Sequence, residues 1–215
     1  MKRQRRQKSS WFSRLLANFL VSGAVLVALS LGIASCARKD VSTLAGYQPR
    51  LVLEEFFAGN SVAFGIFEDR FGNLRRQFRV NLSGKLDGNS LVLNEEFLYD
   101  DGERATRVWT IDRVGRDTAG LINFQGRADD VKLAAKGVQA GNALNWQYDI
   151  SLEMSGTNVD VHFDDWIYKQ DEDIAINRAF VTKFGVEIGS VTIVFIRGKT
   201  ALTLWPLSLD DWPSG

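Results

Sequence analysis

The sequence predicts an all-β protein, an antiparallel up-and-down barrel of lipocalin-like type, preceded by an N-terminal signal helix. Three observations carry this expectation. Beyond the N-terminal third, apolar side chains alternate with polar or small ones in run after run, the mark of strands with one buried face. Short turn signals rich in Gly, Asn and Asp separate the runs, which suits hairpins better than the long crossovers of parallel sheets. The runs amount to about nine strands, and a meander of that size must deal with its open edges; closing into a barrel removes them. A two-sheet β-sandwich is the alternative.

The first element is an export signal. Residues 1–35 hold Lys2, Arg3, Arg5, Arg6, Lys8 and Arg14 and no acid, and Phe19 to Ile33 carries no charge. A basic region, an apolar run and a small-residue end follow one another in the order such signals require. Ile33-Ala34-Ser35-Cys36 then resembles the lipobox of bacterial lipoproteins. The resemblance implies that the Cys36 thiol takes a diacylglyceryl group and that cleavage falls just before it. Several acyl chains on one residue anchor a protein stably, where a single chain binds only marginally. Ala37 stands where enteric-type lipoproteins retained in the inner membrane have Asp. By the same resemblance it points to the outer membrane, with the domain on its periplasmic face.

Composition narrows the partners. The whole chain has 26 basic and 26 acidic residues, but the signal removes six basic residues and no acid. The mature chain is left with 20 basic and 26 acidic residues, a net charge of −6. That argues against nucleic acid or an anionic membrane surface as an electrostatic partner. Cys36 is the only cysteine, so no disulfide is available and packing must supply the stability.

Residues 36–49 read as a lipidated tether, whose dozen or so residues reach roughly 40 Å when extended. Residues 50–204 form the barrel domain and 205–215 a C-terminal tail with Trp205-Pro206 and Trp212-Pro213. Leu51–Phe57 suits either a first strand or a short helix. Val62, Phe64 and Ile66 alternate with small residues, and Phe78, Val80 and Leu82 with polar ones. Val131–Gly137 is ambiguous between strand and helix. The cleanest run is Trp146, Tyr148, Ile150, Leu152 and Met154, followed by Val159, Val161 and Phe163, and later by Val191, Ile193 and Phe195. Turns are expected at Gly72-Asn73, Asp87-Gly88-Asn89, Asp100-Asp101-Gly102, Gly115-Arg116-Asp117, Ser155-Gly156-Thr157 and Gln170 to Asp173.

Three stretches carry a family resemblance. They are Glu95 to Glu103 with Arg107-Val108-Trp109-Thr110; Gly141 to Tyr148; and Phe163-Asp164-Asp165-Trp166-Ile167-Tyr168 leading to Asn177-Arg178-Ala179 and Thr182-Lys183-Phe184-Gly185. Together they resemble the proteobacterial lipoprotein family filed as domain of unknown function 3833, from about Gly46 to Arg197. The resemblance implies a lipoprotein with lipid-related work, and it brings no catalytic or ligand-binding residues with it. The Gly-x-Trp triplet of true lipocalins is absent, so the likeness to them is one of architecture.

Candidate chemistry is sparse. His162 is the single histidine, which excludes a multi-His metal site, and lipidation of Cys36 excludes a Cys–His dyad. Ser151 or Ser190 with His162 and Asp164 could form a triad on paper, but no Gly-x-Ser-x-Gly elbow supports it. No catalytic residue, metal or cofactor is assigned. The acidic pairs at Asp100, Asp129, Asp164, Asp171 and Asp210 lack the spacing of a calcium loop and read as turn caps. Neighbouring Glu95 and Glu96 face opposite ways on a strand, as would Glu54 and Glu55. The best constellation is a hairpin folded at Gln170 to Asp173. His162, Asp164, Trp166 and Tyr168 share one face, with Arg178 on the next strand near Asp164 or Asp165, depending on register. The functional reading is a barrel-lining patch: aromatics for an acyl chain, Arg178 for an acidic head. The plainer reading is a cross-strand ion pair with core aromatics.

These observations lead to an outer-membrane lipoprotein that binds or carries a lipid, a fatty acid or another apolar ligand in a periplasmic barrel. A structural lipoprotein with a packed core and a lipid-modifying enzyme are the rivals. A lumen filled by Phe and Trp would favour the first rival.

Overall fold

Ten antiparallel strands close into a barrel in the computed structural model, which describes residues 39–154 and 157–212. The strands are β1 (Gly59–Asp69), β2 (Leu74–Asp87), β3 (Ser90–Tyr99), β4 (Arg104–Arg116), β5 (Ile122–Arg127), β6 (Ala135–Ala140), β7 (Ala143–Met154), β8 (Thr157–Lys169), β9 (Ile174–Lys183) and β10 (Val186–Ile196). Each pairs with the next in sequence, and β1 closes the ring against β10, with Val62 opposite Ile196. The up-and-down barrel is therefore the fold, and the sandwich is not. The export signal, the lipobox and Cys36 lie outside the described residues.

The barrel has ten strands where about nine are expected. The ambiguous stretch divides: Val131 makes an isolated bridge to Ile150, and β6 begins only at Ala135. Two tight hairpins, and the longer β5–β6 loop, carry no expected turn signal. Ala140 pairs with Ala143 across Gly141-Asn142, and Lys183 with Val186 across Phe184-Gly185. Both residues of the second loop have positive φ, 51° at Phe184 and 77° at Gly185. That is the backbone twist two-residue hairpins need, here with an aromatic where Asn or Asp is usual.

Leu51–Phe57 resolves as a helix, α1 (Leu53–Phe57), which floors one end of the barrel. Leu51, Leu53, Phe56 and Phe57 are all buried, and the Phe57 ring meets Phe195 edge-on at 5.2 Å. The segment expected as tether is ordered on its domain side. A 3-10 turn at Val41–Leu44 lies on the outer wall, where buried Val41 packs with Ala140, Ala143 and Trp166. The chain then enters the domain through a bond from Leu51 N to Gly141 O (3.0 Å). After β10, α2 (Gly198–Leu202) leads into the tail. The tail straps the outside: Leu207 N donates to Asn81 Oδ1 (2.8 Å), and Asn81 Nδ2 donates back to Leu207 O (3.0 Å).

Most alternating runs point their apolar face inward, as strand parity requires. In β1 the rule reverses. Val62, Phe64 and Ile66 face outward, while Ala63 and Gly65 face the lumen opposite Val80 and Phe78. The small residues make room. A Cβ at Gly65 would stand 2.2 Å from the Phe78 ring, and Cβ atoms at Gly126 and Gly137 would stand 2.3 and 2.4 Å from Trp146. Large rings thus occupy the space that side chains at these glycines would take.

Candidate ligand-binding cavity

The lumen encloses a cavity of about 730 Å³. Leu53 and Phe57 of α1 form its floor, and Arg75, Arg76 and Glu103 mark its rim at the opposite end. Its wall is mainly aliphatic and aromatic, within the range of size and character usual for small-molecule sites. At the rim the Arg76 guanidinium lies 3.6 Å over the Tyr99 ring and donates to Asp101 (2.8 Å) and Glu103 (2.6 Å).

Several polar groups interrupt the apolar wall. Glu95 on β3 stands directly opposite Arg107 on β4. Arg107 donates from Nε and Nη2 to Asp130 Oδ2 (3.0 and 2.6 Å), a residue of the loop before β6. On the facing strands, Asp165 of β8 accepts from Asn177 Nδ2 of β9 (3.0 Å), and the Tyr148 side chain of β7 also favours its anion. The two walls meet where Trp109 touches Tyr148 edge-on at 5.4 Å. The Trp109 side chain also favours the Glu95 anion.

Burial dominates the electrostatics here. It pushes the Glu95 carboxyl up to about 7, and the charge of Arg107 only partly counters it. Asp165 is raised to about 6 by burial, against the hydrogen bonds from Asn177 and Tyr148 that favour its anion. Burial opposes the charge of Arg107, but its acidic neighbours outweigh that and make it a firmer cation.

The residues singled out from sequence sit elsewhere. Asp164, Trp166, Tyr168 and Arg178 do share a face, but it is the outer one; the lumen takes Phe163, Asp165 and Ile167 from the same strand. The barrel-lining reading of that patch is corrected accordingly. The register places Arg178 opposite Trp166 and over the Phe180 ring at 5.3 Å, while Asp164 accepts from Asn145 (2.5 Å) and Gln147 (3.0 Å). Trp166 is only 2% exposed because the 3-10 turn covers it. His162 Nδ1 contacts Asp149 (2.8 Å) and Ser151 donates to Asp160 (3.0 Å), so neither is arranged around Asp164. The turn acids cap backbone amides: Asp117 accepts from Ala119 and Leu121, and Asp171 from Asp173 and Ile174.

The lumen polar residues had a sequence signal. Each interrupts the inward parity of an otherwise apolar or small-residue run: Leu93-Glu95-Phe97, Ala105-Arg107-Trp109, Phe163-Asp165-Ile167 and Ala175-Asn177-Ala179. A single polar side chain at an inward position on each of four strands is what alternation alone can reveal.

A closed antiparallel barrel, floored at one end and holding a ligand-sized lumen, defines a protein of lipocalin-like architecture. The chain belongs to the protein family of unknown function DUF3833, whose pattern matches residues 30–197. No curated protein matches it. Among solved structures it is similar in fold to an S-type phycobiliprotein lyase from Guillardia theta, at a TM-score of 0.50 and 10% identity. That likeness covers 75% of this chain and 99% of the other.

Proposed function

We propose that this chain is an outer-membrane lipoprotein, anchored through Cys36, whose periplasmic barrel binds or carries a lipid or other apolar ligand. The observation that carries the reading is the open lumen of about 730 Å³ with its mainly apolar wall. A lipoprotein acting only through its surface has no use for that space. Unfilled apolar volume costs stability, and a lumen with several Phe and Trp could have closed on itself. The glycine recesses that hold Phe78 and Trp146 against the wall support a lumen kept open for an occupant. The export signal and lipobox place the barrel beside a bilayer, where apolar ligands are abundant.

Native mass spectrometry of the protein purified from its own host tests this reading. The expected result is an added mass that organic extraction removes and that added lipid restores. A protein that emerges empty and takes up no acyl chain overturns it. The anchor has a separate test: Cys36→Ser should abolish incorporation of radiolabelled fatty acid, and unchanged labelling refutes the lipidation site.

A further inference from the structure

The hydrogen-bonding inventory of the lumen is unbalanced. Several of its donors are engaged, while Arg76 Nε, at the rim, is buried without a partner. Arg107 gives two bonds to Asp130 and Asn177 Nδ2 gives one to Asp165, while the Tyr148 and Trp109 side chains favour the anions of Asp165 and Glu95. Its acceptors are in surplus. Among the described residues, Asn177 Oδ1 and Asp130 Oδ1 are buried without a hydrogen-bond partner. Asn177 is 4% exposed and lines the cavity, and its bond to Asp165 fixes which amide atom is left over. Glu95 and Asp165 add further lone pairs, since a carboxylate accepts up to about four hydrogen bonds. An unpaired acceptor in an apolar wall is a cost that a ligand donor would relieve.

Charge points the same way. Glu95, Asp130 and Asp165 face one guanidinium, that of Arg107, within this part of the lumen. At pH 8, above the raised values of both Glu95 and Asp165, the two are ionised, so a further anion would meet repulsion as well as desolvation. Arg75 and Arg76 stand at the rim, where Arg76 gives Nη2 to Asp101 and Glu103 and keeps Nε without a partner.

We propose that the cavity selects an amphiphile whose head brings hydrogen-bond donors, an ammonium or a hydroxyl, and discriminates against a carboxylate head. The proposal rests on the ligand-binding reading above. The head sits against Glu95, Asp165 and Asn177, and the chain runs along the aromatic wall. The selectivity arises because an acid head offers acceptors to acceptors, while an amine or alcohol completes the bonds the wall leaves open.

Three probes with one chain length isolate the head: dodecylamine, dodecanol and dodecanoate. Each is titrated below its aggregation threshold at pH 8 into delipidated protein, and binding is followed by tryptophan fluorescence, to which Trp109 and Trp146 report. The amine and the alcohol are expected to bind at least tenfold more tightly than the acid. Dodecanoate binding as tightly as both overturns the head-group assignment and leaves the cavity reading standing; no binding by any of the three overturns both. Glu95→Gln should narrow the gap between amine and acid while leaving the alcohol little changed. An undiminished gap in a folded Glu95→Gln protein removes Glu95 from the site, and the wild-type comparison stands even if that variant does not fold.

Discussion

Glu95 is the residue on which burial and charge compete most openly. Arg107, Asp130, Asp165 and Trp109 all act on it, and burial still holds its carboxyl at about 7 against an ordinary value of 4.5. Below 4.5 the group is protonated in both folded and unfolded chains, and its contribution to stability is fully present. As the pH rises toward 7 the unfolded chain ionises first, so stability falls through that window and levels off above it. Asp165 adds a smaller fall between 3.8 and about 6. Glu95→Gln should therefore flatten the upper part of the slope and raise stability at pH 8 by on the order of 2 kcal/mol. Chemical denaturation of both proteins from pH 4 to 8 checks this; parallel curves would contradict it. Single residues of this kind were the hardest to read from sequence. Asp165 has Asp164 beside it and Glu95 has Glu96, and strand parity alone separates the lumen member of each pair from the surface member. The aromatics Trp166 and Tyr168 of β8 pack instead with Val41 and Leu44, a segment 120 or so residues away.

The strands themselves were largely legible because packing enforces alternation. Trp146, Tyr148 and Ile150 read as one buried face, and so they are. The exceptions have local causes. β6 holds only six residues around Gly137 and offers too short a run to register. β1 hides its lumen face because Ala63 and Gly65 are small where their partners Val80 and Phe78 are large. These pairings of glycine with a ring make a prediction about β6 as an element. In Gly137→Ala the new methyl would lie 2.4 Å from Trp146 and 3.2 Å from Phe124 Cβ, so the indole must swing toward the lumen. Overpacking of this kind costs about 1–3 kcal/mol. The expected outcome is shifted tryptophan emission and weaker binding of any apolar probe, with the far-ultraviolet circular dichroism retained. Gly46→Ala is the control, since nothing lies within 4 Å of its added methyl. Equal probe binding by the two variants would rule out the recess as the device that keeps the lumen open.

At the scale of the whole molecule, closure of the barrel makes the two ends of the domain interdependent. β1 finds its second partner only in β10, through pairs such as Ala63 with Phe195 and Phe67 with Val191. Contacts that distant along the chain form late and are lost together. A chain ending after Gly185 would lack β10 and leave β1 and β9 as adjacent open edges over an exposed apolar lumen. Such edges template association between chains. A chain ending after Leu202 keeps every strand. It loses the strap: the paired bonds of Asn81 to Leu207, the bond from Arg104 to Asp210 O, and the Trp212 ring beneath Arg79. Removing those bonds should cost about 1–2 kcal/mol, a Tm drop of about 2–8 °C. The two truncations thus separate closure from strapping. The longer one should remain soluble and melt in a single transition at a lower temperature. The shorter one should aggregate or melt without cooperativity. A soluble, cooperatively melting 1–185 chain would mean that nine strands suffice, and that the pairing of β1 with β10 contributes little to the integrity of the barrel.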